Sequence, residues 1–256
     1  MEGERAHETV APEPSSGPSP ALVSDSVPPT HRWGIGAYLL VELVRLLASA
    51  SFAVVLIGHG RLSAGMLALA VAVPTVIAAG LAMLITKLRG NGPRTDLRLH
   101  WSWRGLRLGL MFGFGGLLVT MPASLVYTSI VGPHANSAVG RVFGGVRASW
   151  PWAVAVFLIV VFVAPLCEEI VYRGLLWGAV DRRWGRWVAL VVTTVVFALA
   201  HLEFTRAPLL VVVAIPIALA RLYSGGLLGS IVAHQVTNLL PGIVLMLGLA
   251  GVMPSA

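Results

Sequence analysis

Seven nearly unbroken apolar stretches, at 34–58, 62–86, 106–132, 151–178, 187–205, 207–223 and 226–250, limit what this chain can become. A helix needs about 20 apolar residues to cross roughly 30 Å of hydrocarbon, and inside lipid it must satisfy its own backbone hydrogen bonds. The strands of a membrane barrel would instead alternate over about ten residues. The predicted fold is therefore all-α, a polytopic transmembrane helical bundle of about seven spanning helices. Composition agrees, with 57% hydrophobic and 11% charged residues, against about a quarter charged in a soluble domain.

A net charge of +7 raises the question of nucleic acid, but the cations lie in short loops between apolar runs and line no soluble face. They report orientation instead, and no nucleic-acid partner is expected. With the N-terminus inside, 13 of the 18 cations fall on the cytoplasmic side: Arg5, Arg32, Lys87, Arg89, Arg94, Arg98, Arg104, Arg107, Arg173, Arg182, Arg183, Arg186 and Arg221. Arg61, Arg141, Arg147 and Arg206 fall opposite, and Arg45 lies within the first helix. This positive-inside bias predicts a multi-pass protein of the cell membrane with a cytoplasmic N-terminus and the C-terminus outside.

Residues 1–31 carry five acids against one arginine, are rich in Pro and Ser, and show no apolar period. They read as a disordered tail without the pattern of a cleaved signal peptide, and 32–256 as one transmembrane helical domain. The loop 86–107 combines six cations with Trp101 and Trp103, the composition of an anchor to anionic headgroups of the lipid bilayer. The single cysteine, Cys167, excludes an intramolecular disulfide and a multi-cysteine metal site. It reads as a small buried hydrophobe.

Ionisable residues within these runs need a reason, because each costs about 2.5–3.5 kcal/mol on insertion scales. Glu42 and Arg45 are three apart and of opposite sign, and a structural ion pair explains them. Glu169 and Arg173 are four apart with the acid first, the better order for a helical salt bridge. Glu168 is left without a partner, since adjacent helical residues point about 100° apart. Candidates are His201, in "VVFALAHLEF", and His234 with Asn238, four apart on one helix face in "IVAHQVTNLLPG". Counted from ends near Val180, Arg186 and Gly225, Glu168, His201 and His234 lie about 18, 22 and 14 Å deep at 1.5 Å per residue. Three helices thus bring a carboxylate and two imidazoles to one level of the membrane. A lone histidine at that depth commonly serves as an interhelical hydrogen bond, and Asn238 can satisfy backbone groups freed near Pro241. A shared depth is not needed for either of those roles.

In order along the chain, "EEIVYR" at 168–173 fits E-E-x-x-x-R, "FALAH" at 197–201 fits F-x-x-x-H, and "HQVTN" at 234–238 fits H-x-x-x-N. This set resembles the CPBP family of intramembrane proteases, the CAAX protease and bacteriocin-processing group also called Abi. The resemblance covers about residues 150–250 as a catalytic core. It implies an endopeptidase that cleaves a membrane-associated peptide or membrane-protein substrate with activated water. By position, it implies Glu168 as the residue activating water with His201 as its partner. It also implies His234 and Asn238 as holders of the water, a metal or the oxyanion, with Glu169 and Arg173 as supports. No motif residue is substituted.

One Glu, two His and an Asn are also compatible with a divalent metal such as Zn²⁺ held by Glu168, His201 and His234. HExxH is absent, and the residues suit metal-bound and metal-free water alike. Seventeen arginines to one lysine, with abundant Ala, Val and Gly, read as a GC-rich bacterial genome, so a prenylated protein is not the default substrate. Two other classes compete. A catalytically silent scaffold or bacteriocin-immunity protein would tolerate loss of Glu168, and a transporter would show paired halves, which this sequence lacks. Oligomeric state leaves no mark in the sequence.

Overall fold

The computed structural model describes residues 32–58, 63–132 and 137–253. The tail 1–31 and Arg61 lie outside them. Seven principal helices match the seven apolar runs: α1 (Ile35–Ile57), α2 (Ala64–Arg89), α3 (Trp103–Val131), α4 (Trp150–Trp184), α5 (Arg186–Ala200), α6 (Ala207–Ser224) and α7 (Leu227–Leu249). All but α5 are long and apolar enough to cross a membrane, and no strand occurs among the described residues. The protein is a multi-pass membrane helical bundle. Its surface is correspondingly oily, with Ile57 84%, Leu118 80% and Ile130 77% exposed.

The expected fifth span, 187–205, is shorter than its apolar run. α5 has 15 residues, about 22 Å of helix, and ends with His201 as its C-cap. Leu202 follows at φ +56°, a conformation that a branched side chain rarely adopts. Leu202 and Phe204 are apolar and carry the run past the end of the helix; Pro208 marks where α6 begins.

α4 runs through the middle of the bundle and is interrupted twice by π turns, Ile159–Val163 and Ile170–Leu176. Val161, Ile170, Val171, Tyr172, Leu175, Leu176, Trp177 and Val180 along it are all buried. Close approach of its neighbours depends on missing side chains. A Cβ on Gly242 of α7 would sit 2.4 Å from Val161 Cγ2 of α4. On α3, a Cβ on Gly109 or Gly113 would sit 2.7 or 2.8 Å from Val232 or Val236 of α7. Small residues of this kind let membrane helices touch backbone to backbone. Gly242→Leu is therefore expected to push α7 off α4 and lower stability by about 1–3 kcal/mol, read as a drop in the thermal melt in detergent. An unchanged melt would show that the contact is soft.

At one end of the bundle the loop after α2 is locked to its surroundings. Trp33 Nε1 donates to Asp96 Oδ2 at 2.8 Å, and the Arg182 guanidinium lies 3.9 Å over the Trp33 ring, which ties the start of α1 to the end of α4. Arg98 and Arg104 donate to the carbonyls of Gly225 and Tyr223, at 3.3 and 3.0 Å. Some cations of the basic loop thus fasten it to the α6–α7 corner. Trp101 and Trp103 remain exposed at 65% and 69%, where headgroups would meet them.

Candidate active site

The site begins with Pro165. Proline has no N–H and cannot donate along the helix ladder, and the preceding residue, Ala164, sends its own N–H five residues back to the Ile159 carbonyl. Both ordinary donors to the Val160 carbonyl are thereby lost. Asn238 of α7 supplies one, its Nδ2 donating to Val160 O at 3.1 Å. At the second π turn the Trp177 N–H reaches the Tyr172 and Gly174 carbonyls and passes over that of Arg173. Arg221 of α6, itself buried, donates Nε to that carbonyl at 3.0 Å. Such turns are frequent at functional sites. Here they bracket Ala164–Glu169, the one α-helical turn and a half that carries both carboxylates.

Glu169 and Arg173 are fully buried and paired at 3.1 Å. His234 Nδ1 lies 3.0 Å from the same carboxylate oxygen, Glu169 Oε1. Its other nitrogen, Nε2, lies 3.7 Å from Glu168 Oε2. One imidazole therefore faces both acids through opposite edges of its ring. The Glu168 side chain is 21% exposed, against 0% for Glu169. A carboxylate oxygen can only accept, so Nδ1 donates to Glu169, and in the neutral tautomer that this selects Nε2 is the acceptor edge towards Glu168.

His201 is held by the same device. Its Nδ1 donates to the Phe197 carbonyl at 2.7 Å, which again leaves Nε2 as the free edge. Phe197 links the site residues: its ring lies edge-on to His201 at 4.6 Å, His234 at 5.5 Å and Tyr172 at 5.3 Å, and the Arg173 guanidinium rests 4.3 Å from its centroid. The two imidazoles therefore flank one aromatic ring. At contact distance the partner of Glu168 is His234, and His201 joins the site through the Phe197 ring that it shares with His234. Asn238 is engaged with the α4 backbone, and one of its two amide hydrogens is committed there. Cys167 is buried and free, as a small hydrophobe would be.

The sequence marks Phe197 only as the first letter of F-x-x-x-H, and Glu42 and Arg45 only as a local pair. Arg45 Nη2 in fact donates to the Ala200 carbonyl at 3.0 Å, and the Tyr172 hydroxyl donates to Glu42 Oε2 at 3.3 Å. Nothing in the linear spacing signals either contact. A catalytic zinc site needs three protein ligands. Among the described residues no group of three or more His, Cys, Asp or Glu side chains is gathered to hold a metal ion, and Glu168 with His234 makes two.

Residues 150–240 match the family model described as Type II CAAX prenyl endopeptidase Rce1-like. No curated protein and no solved structure matches the chain.

Proposed function

We propose that this chain, whose residues 150–240 carry an Rce1-like domain of the CPBP and CAAX protease family, hydrolyses a peptide bond of a membrane-associated peptide within the bilayer. The observation that carries the reading is His234 facing Glu168 with a free Nε2 while Glu169 holds Nδ1. A water next to that pair gives one hydrogen to Glu168 and the other to Nε2, which turns an oxygen lone pair towards an incoming carbonyl. At 3.7 Å the two groups are too far apart for a good direct hydrogen bond, which leaves both available to a third atom.

Glu168 takes the proton as the oxygen attacks, and the second amide hydrogen of Asn238 meets the developing oxyanion. Collapse breaks the C–N bond, and the proton held by Glu168 passes to the departing amine. His201 Nε2 serves as the second proton carrier on the leaving-group side. Each step uses a side chain of this protein. The buried Glu169–Arg173 pair fixes the ring that fixes the water. The excess of cations around 87–107, 182–186 and 221 supports a cytoplasmic N-terminus in the cell membrane.

The direct test is incubation of the purified protein in liposomes with a farnesylated CAAX peptide and its unprenylated counterpart, followed by mass spectrometry. Time-dependent release of a C-terminal fragment from either one is expected. A folded protein that cleaves neither would overturn the reading. Within that assay, Asn238→Ala is expected to lower kcat by about 10²–10³ as one oxyanion donor is lost. It should also cost about 1–3 kcal/mol of stability, because the Val160 carbonyl is left without its donor. A melt shift with unchanged kcat would assign Asn238 to the backbone alone.

A further inference from the structure

We infer that Glu42 and Arg45 of α1 form a positioning clamp for His201, so that a helix outside the family-matched segment belongs to the working site. The inference rests on the hydrolase reading above. α1 is the least buried of the six long helices, and yet it carries a carboxylate and a guanidinium whose side chains are only 14% and 17% exposed. Ion pairs are costly to keep at membrane depth, and this one does more than neutralise itself. Arg45 Nε donates to Glu42 Oε1 at 3.1 Å, while Nη2 crosses to α5 and donates to the Ala200 carbonyl at 3.0 Å. Glu42 in turn accepts from the Tyr172 hydroxyl in the second π turn of α4 at 3.3 Å. Three helices meet in this one chain of contacts.

The point of attachment matters. Ala200 is the last residue of α5 and His201 is its cap. The last carbonyls of a helix lack intrahelical donors and carry the negative end of the helix dipole, which a cation near the terminus favours. In hydrocarbon no water can take that role. The backbone then turns sharply through Leu202 at φ +56°, a conformation that persists only where its surroundings hold it. Arg45 thus grips the peptide unit joining Ala200 to His201, on one side of the imidazole, and the Phe197 carbonyl holds Nδ1 on the other. Tyr172 links the same clamp to Phe197, against which its ring packs edge-on.

The test compares Arg45→Met, Arg45→Lys and the neutral double variant Glu42→Gln with Arg45→Gln. Glu168→Gln is run beside them in the liposome assay with the farnesylated CAAX peptide. Arg45→Met is expected to lower kcat by about 30-fold or more with KM within about threefold, as for groups that orient rather than bind. Hydrogen exchange across 197–206 should rise. Arg45→Lys, whose ammonium can still reach the carbonyl, should recover most of kcat, a rescue that a bulk packing role would not produce. Wild-type kcat in Arg45→Met beside an inactive Glu168→Gln overturns the clamp and leaves the hydrolase reading intact. An active Glu168→Gln removes Glu168 as the general base, and a folded parent protein that cleaves neither peptide overturns the hydrolase reading itself. Should Arg45→Met fail to fold, the double variant decides: kcat lowered as above sustains the clamp, and wild-type kcat overturns it.

Discussion

Glu168→Gln is expected to abolish peptide hydrolysis, by about 10²–10⁴-fold, in a protein that inserts and melts as the parent does. The argument is the difference between two adjacent acids. Glutamine keeps the shape of glutamate and removes only its capacity to take a proton. The side chain of Glu168 is 21% exposed and stands 3.7 Å from His234 Nε2, so the exchange strands no buried partner. Glu169 is fully buried between Arg173 and His234, and the same exchange there would disturb both neighbours. Loss of turnover at position 168 with an unaltered melting curve therefore isolates chemistry from structure. Substantial cleavage by purified Glu168→Gln would remove the general base from the mechanism.

The second large effect falls on stability. Arg173→Leu is expected to cost about 3–5 kcal/mol, the usual consequence of stranding one member of a buried ion pair. That is a large share of the roughly 5–15 kcal/mol that holds a folded domain together. Arg173 and Glu169 are both 0% exposed, and the guanidinium also covers the face of Phe197 at 4.3 Å. Pairing Arg173→Leu with Glu169→Gln should return much of the loss, because the uncompensated charge is then gone. The check is thermal unfolding of the four proteins in one detergent as a double-mutant cycle. Additive losses would mean that the two side chains do not act as a pair.

The helices were plain in the sequence because apolar length is a strong signal, and all seven runs are helices with ends within three residues, except that α4 runs six residues further and α5 stops five short. The motif residues were equally plain, since ionisable groups stand out against an apolar background. Depth along a helix could be counted, and Glu168 and His234 do meet. Azimuth could not be counted, so which of the two imidazoles stands next to Glu168 is legible only in the structure, where it is His234. The π turns in α4 were hidden for a related reason: a helix apolar on every side shows no stripe whose slippage would reveal an inserted residue. Pro165 was the single clue. The reach of Arg45 was masked by its own local partner, because a pair three residues apart balances both charges by itself.

The borrowed hydrogen bonds of α4 bear on how the protein is made. Its Val160 and Arg173 carbonyls rely on Asn238 and Arg221, which lie far downstream and leave the ribosome later. Until then the fourth segment meets lipid with gaps in its backbone ladder and with Glu168, Glu169 and Arg173 uncovered. As a rod it is complete only in company, so its settled place in hydrocarbon depends on the two segments that supply the missing donors.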